Sequence, residues 1–159
     1  MSITLRAARP SDVPVILSFI QGLAKYEKLA HLCVATEAEL TETLFGTRPY
    51  AEVILAFWDG TPAGFALFFH NYSTFLAKPG IYLEDLFVDP EYRGKGLGKA
   101  LLKDLARIAV ERDCGRIEWS VLDWNEPSIN FYKSLGAMPM EEWTIYRVTG
   151  DALTSLAQT

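Results

Sequence analysis

Ile3, Leu5 and Ala7 alternate with other residues, and this period of two predicts a strand over residues 3–8. The period then lengthens. Val13, Ile16, Leu17, Ile20, Leu23 and Ala24 fall three and four apart, which gathers them on one helical face. Ser11 and Asp12 stand where a cap belongs, and the helix should end near residues 26–29. Thr36-Glu37-Ala38-Glu39 has the spacing of a capping box. A second short helix should therefore run to Phe45 and stop at Gly46. Residues 52–58 and 62–72 are apolar runs of strand formers joined by Asp59-Gly60-Thr61, which reads as a hairpin. Residues 73–80 read as a loop, and residues 81–88 as a buried strand ended by Asp89-Pro90, because proline has no N–H for a ladder.

From Gly96 onward Leu97, Leu101, Leu105, Ile108 and Ala109 share a helical face, which should end near residues 113–115. Residues 117–122 return to a strand pattern. Strand, helix and strand in so short a span form a βαβ unit. The strands at 81–88 and 117–122 should then be parallel, with a right-handed crossover. Asn125 can cap a helix from Pro127 to Leu135, closed by Gly136. Residues 143–148 read as a last strand and 151–156 as a short helical tail.

Half of the 159 residues are hydrophobic, as a packed core requires. The length suits a single domain over residues 1–159 that buries about two-thirds of its unfolded surface. A net charge of −5 argues against a general nucleic-acid binder and suits a cationic ligand. Cys33 and Cys114 read as reduced thiols of a cytoplasmic protein. His31 and His70 stand apart, so no Cys/His cluster supports a metal. The opening MSITLRAARPSD is charged too early for a signal peptide. No apolar run approaches the ~18–20 residues of a membrane span.

The chemistry concentrates between residues 81 and 100. Gly94, Gly96 and Gly98 alternate with other residues, and Arg93, Lys95 and Lys99 flank them. A glycine loop opening a helix aims unpartnered N–H groups at one point, which makes a phosphate cradle. It is not a P-loop, since Ala100 follows Gly98-Lys99 where Ser or Thr is required. The dinucleotide fingerprint also fails, because Lys99 holds the place of its last glycine. Within the preceding apolar strand stand two carboxylates, Glu84 and Asp85. Alternation would put Glu84 on the face of Tyr82, Leu86 and Val88, an apolar setting that raises a carboxyl pKa, with Asp85 facing the other way.

Arg93-x-x-Gly96-x-Gly98 after a strand and before a helix resembles the acetyl-CoA signature of the GCN5-related N-acetyltransferases (GNAT). Leu23-Ala24-Lys25-Tyr26-Glu27, Tyr82-Leu83-Glu84-Asp85 and the run Trp124-Asn125-Glu126-Pro127-Ser128-Ile129-Asn130-Phe131-Tyr132-Lys133 resemble the diamine/polyamine branch. Tyr72-Ser73-Thr74-Phe75 lacks the acid that polyamine enzymes carry there. Like Leu122-Asp123-Trp124-Asn125, it looks more like the thialysine branch.

The resemblance implies an α/β fold of the acyl-CoA N-acyltransferase type. Its sheet is mixed and mostly antiparallel, with a parallel pair splayed around the cofactor and helices on both faces. It implies acetyl-CoA held by the backbone of Leu86, Phe87 and Val88, by the loop Arg93, Gly94, Lys95, Gly96, Leu97, Gly98 and Lys99, and by Asn125, Ser128 and Tyr132. Glu84 would be the base that deprotonates the amine and Tyr132 the acid for the departing thiolate. Tyr26, Glu27, Glu84, Glu142 and Trp143 would contact the amine. A backbone N–H beside Phe87 or Val88 would serve as oxyanion donor. A homodimer is the common assembly of the branch. Two other readings remain: an acyl-CoA-binding regulatory module without turnover, and an acetyltransferase for protein amines.

Overall fold

Five strands form one sheet in the order β1-β2-β3-β4-β5 in a computed structural model that describes residues 2–158. They are β1 (Ile3–Ala7), β2 (Glu52–Trp58), β3 (Thr61–Ser73), β4 (Lys78–Val88) and β5 (Ile117–Trp119). β1 to β4 pair antiparallel, and β5 joins β4 in parallel. The turn between β2 and β3 puts Asp59 and Gly60 at φ 48° and 83°. Two positive values match the strand twist, and a residue with a Cβ pays for the second more than glycine does. β3 and β4 extend further toward each other than the pattern implied, so the loop expected at 73–80 shrinks to residues 74–77.

Helices α1 (Val13–Tyr26) and α2 (Glu37–Phe45) cover one face. Val13, Ile16 and Phe19 of α1 and Leu40 and Leu44 of α2 close on Val53, Leu55, Phe65, Leu67 and Phe87. Phe19 stacks on Phe65 with ring centroids 5.7 Å apart. Each such side chain contributes about 1.5–3 kcal/mol by leaving water. α3 (Leu97–Glu111) covers the other face, with Leu97, Leu101 and Leu105 wholly buried. Thr36 caps α2 as expected, its hydroxyl accepting from the Glu39 N–H. Asp12 does not cap α1 through its side chain. A short 3-10 turn, Pro10–Asp12, precedes the helix, and the carboxylate accepts instead from the Arg9 N–H and from Arg6 at 2.7 Å.

Two strand expectations need correcting. β5 stops at Trp119 rather than residue 122, after pairing only Ile81, Tyr82 and Leu83 of β4. The strand expected at 143–148 is absent; those residues have no regular structure, and Trp143 and Tyr146 are exposed. A strand pattern is not sufficient without a neighbouring ladder to take its N–H and C=O groups.

The chain divides into two compact units, the first ending at Ser120 and the second beginning at Val121. The first holds the sheet and α1 to α3. The second contains α4 (Glu126–Ser134) and α5 (Gly150–Gln158).

Candidate functional site

β4 carries the first part of the site because its register breaks at one residue. Leu67 of β3 faces Asp85, but the next residue, Phe68, faces Leu83. Glu84 is the extra residue of a β-bulge, and a bulge interrupts alternation and re-aims its side chains. The face expected for Glu84 therefore does not apply. Leu83 and Phe87 are buried, Asp85 is half-buried, and Glu84 is exposed rather than enclosed by apolar neighbours.

Beyond the bulge β4 runs on to Val88 without β5 beside it. Asp89 donates its N–H to Ala63 of β3 at 2.8 Å. Main-chain groups alternate sides along a strand, so those of Phe87 also turn to β3, while those of Leu86 and Val88 turn to the open edge. Of the three residues expected to offer backbone to an arm of the cofactor, Leu86 and Val88 are oriented for it. Phe87 instead packs its ring into the core beside Phe19, 5.9 Å away.

After β4 a 3-10 turn, Pro90–Tyr92, leads into the glycine loop. Gly94 and Gly96 have φ of 78° and 91°. Both lie in the left-handed region that favours glycine. Gly96 caps α3, and the first helical bond is Ala100 N–H to Gly96 O at 3.0 Å. The amides of Leu97, Gly98 and Lys99 thus precede any helical acceptor and sit at the positive end of the helix dipole. Gly98 is helical, and the nearest neighbour of a Cβ there is Val88 Cγ2 at 3.9 Å. Lys95 lies over the Trp58 ring at 5.0 Å, and Lys99 is exposed. Arg93 is not aimed only at the cradle. Its Nε donates to the Val88 carbonyl at 2.9 Å, and its guanidinium lies 4.9 Å from the Tyr26 ring centre.

Three carboxylates gather where α1 meets β4. Glu27 follows the last residue of α1, and with Asp85 it lines a cavity of about 220 Å³ walled by Ile20, Leu23, Ala24, Leu29, Leu32 and Cys33. Burial pushes the Asp85 carboxyl from the ordinary 3.8 up to about 7, with help from the charges of Glu84 and Glu27. Burial also raises Glu27, and the charge of Glu84 adds to it. Asp85 is a candidate that pattern reading did not place here. The one available signal was two adjacent acids in an apolar strand, since alternation sends them to opposite faces and one of the two faces a packed layer.

The second unit places the remaining candidates on or after α4. Asn125 is buried and caps α4, its side chain accepting from the Ser128 N–H at 3.4 Å. Tyr132 is half-buried on α4, its ring 5.8 Å from that of Phe131. Glu142 and Trp143 lie in the irregular stretch and are exposed.

A larger cleft, about 440 Å³, runs along the β1 edge of the sheet, with Arg107 and Arg112 on its rim. Those arginines are already paired, with Asp104, Glu111 and Glu52. A cleft whose charges are satisfied internally makes a weaker case for chemistry than the open edge of β4. Among the described residues no three His, Cys, Asp or Glu side chains cluster to hold a metal, and no helix is long and apolar enough to cross a membrane.

The profile of the Acetyltransferase (GNAT) family matches residues 21–137. L-ornithine N5-acetyltransferase NATA1 of Arabidopsis thaliana is 38% identical over 96% of this chain and 86% of its own length. Thialysine N-epsilon-acetyltransferase of Mus musculus is 36% identical over 98% of each chain. Among solved structures, an integron cassette protein from the V. cholerae mobile metagenome superposes with a TM-score of 0.84, at 29% identity, over 100% of this chain and 99% of that one.

Proposed function

The chain belongs to the acetyltransferase (GNAT) family, and we propose that it moves the acetyl group of acetyl-CoA to the primary amine of a small molecule by direct attack. The amine is a diamine, a short polyamine or a lysine-like amino acid. One observation carries the reading: β5 leaves β4 after Leu83, so a strand edge without a strand partner, with only its Val88 carbonyl taken by Arg93, lies between a carboxylate at a bulge and a glycine-rich helix start.

Acetyl-CoA would supply the activated thioester. The amides of Gly94 to Lys99 suit its diphosphate, and the edge groups of Leu86 and Val88 suit its amide-bearing arm. Asn125, Ser128 and Tyr132 are assigned to the cofactor by likeness to the family.

An alkyl ammonium has a pKa of about 10, so at neutral pH it holds no lone pair for attack. Glu84 takes that proton, directly or through a water. The amine nitrogen then bonds to the thioester carbon, the carbon–sulfur bond breaks, and the nitrogen gives up its second proton, which through solvent replaces the one that Tyr132 donates. The N–H of Val88 is the donor for the oxyanion. Tyr132 returns a proton to the thiolate, a transfer across about two pKa units. Tyr26, Glu27 and Asp85 form the amine pocket, where carboxylates and an aromatic face suit a cation. Glu142 and Trp143 are further candidate contacts.

Both compact units act as one catalytic domain in this reading. Cys33 and Cys114 are free thiols, which fits a cytoplasmic protein. A homodimer is proposed from the habit of the branch, and light scattering decides it. The central test is a panel of diamines, polyamines and basic amino acids with acetyl-CoA, following thiol release. Turnover of at least one amine supports the proposal, and silence across the panel overturns it. Coenzyme A binding without turnover would favour a regulatory module.

A further inference from the structure

We propose that the Arg93 side chain is a positioning residue for the amine pocket and not a cation for the cofactor's diphosphate. The inference rests on the acetyl-transfer reading above. It starts from what the guanidinium touches. Nε donates to the carbonyl of Val88 at 2.9 Å. The flat group lies 4.9 Å from the ring centre of Tyr26 and 5.7 Å from that of Phe87. It therefore joins the end of β4 to the end of α1, across the strand edge offered to the cofactor.

Such a tie acts on the end of α1. Tyr26 is its last residue, and Lys28 already has a positive φ of 63°. The bonds of that turn include Glu27 N–H to Leu23 O, Lys28 N–H to Lys25 O and Leu29 N–H to Ala24 O. Helix ends fray first, because their terminal groups have the fewest internal partners. Glu27 and Asp85 face the amine cavity from α1 and β4, so small shifts of Tyr26–Glu27 change the spacing of two carboxylates. Phe87 sits under the same guanidinium and against α1, where Gly22 leaves room for its ring. Arg93 spans all of these from the first position of the glycine loop.

Only arginine fits the job. A planar fork can stack on a ring and donate from Nε at once, whereas a lysine ammonium is a point charge that does neither together. The Arg93→Lys variant therefore keeps the charge and removes the tie. A diphosphate ligand would tolerate that exchange far better than an amine pocket would.

The test compares Arg93→Lys and Arg93→Met with the wild type. Coenzyme A affinity is measured by titration calorimetry, kcat and KM with the best amine of the panel, and backbone exchange by amide hydrogen exchange. In both variants the amine KM should rise roughly tenfold, the size of one lost hydrogen bond to a charged group. Coenzyme A affinity should stay within about twofold, and the amides of Glu27, Lys28 and Leu29 should exchange faster. A coenzyme A affinity that falls tenfold while the amine KM stays put would overturn the proposal. So would an unchanged amine KM with unchanged exchange at Glu27 to Leu29. If the wild type acetylates no amine, the acetyl-transfer reading fails separately. Exchange at the end of α1 then still decides whether Arg93 holds it.

Discussion

Asp85 of β4 and Glu27 at the end of α1 line the same cavity, and the charge of Glu27 helps to hold the Asp85 carboxyl near pH 7. Burial is the larger cause, and Glu84 acts before Glu27. The arrangement costs stability whenever Asp85 ionises, and that cost has a direction in pH.

The folded pKa of Asp85 lies above its ordinary 3.8. Between about pH 4 and pH 7 the native state holds more protons than the unfolded chain, so Asp85 makes stability fall as pH rises through that window. Asn cannot ionise. Asp85→Asn should leave stability near pH 4 unchanged and raise it near pH 8 by about 1–2 kcal/mol, allowing for partial exposure. Urea melts at both pH values test this. Equal shifts at the two would contradict it.

Glu84→Gln removes the proposed base without changing side-chain size. The rate should fall by about 10²–10³ near neutral pH, and by less at high pH, where the amine arrives deprotonated. The pH–rate profile of kcat/KM is the readout. A profile that keeps its wild-type shape removes Glu84 from the role.

Gly96 and Gly98 should behave differently when each becomes alanine. At Gly96, with φ 91°, a Cβ strains the backbone by about 1–2 kcal/mol, and the melting temperature should drop. At Gly98 a Cβ meets Val88 Cγ2 at an ordinary 3.9 Å inside a helix, so stability should hold or rise by about 0.5–1 kcal/mol. Coenzyme A affinity should nonetheless fall roughly tenfold or more at Gly98, because the ligand loses its close approach to a backbone donor. Calorimetry on the two variants separates strain from lost contact. Full affinity in Gly98→Ala would move the diphosphate elsewhere.

Gly22 sits in the middle of α1, where glycine is a poor helix former. A Cβ there would lie 2.7 Å from Phe87 Cζ, and that ring is held by Phe19 and the core. Gly22→Ala should therefore destabilise by about 1–3 kcal/mol despite its better helix propensity. Chemical denaturation checks the sign; a stabilised variant would mean that Phe87 moves freely.

Much of the architecture was legible in local pattern. The faces of α1 and α3, the Thr36 cap, the Asp59-Gly60 hairpin and the parallel pairing of β4 with β5 follow from periodicity and from glycine or proline placement. All but the last depend on residues a few positions apart, and the pairing of β4 with β5 follows from the short helical crossover between them, so the chain itself encodes them. The glycine loop and the Tyr-Leu-Glu-Asp strand were visible for the same reason, and with them the family.

Other features depended on which segments meet. The bulge at Glu84 arises because β3 and β4 keep apolar residues inward on both sides of it, and neither strand alone reveals where the register must slip. That slip, not the composition of the strand, exposes Glu84 and leaves Asp85 half-buried beside Glu27. The early end of β5 and the missing strand at 143–148 have the same origin, since a strand exists only where another edge accepts its hydrogen bonds. Arg93 read only as a residue of the cofactor-holding loop, and it took folding to set Tyr26 beneath its guanidinium, 67 positions away along the chain. Short-range order was written in the residues, while charge placement was set by packing, because burial and proximity are properties of contacts between distant segments.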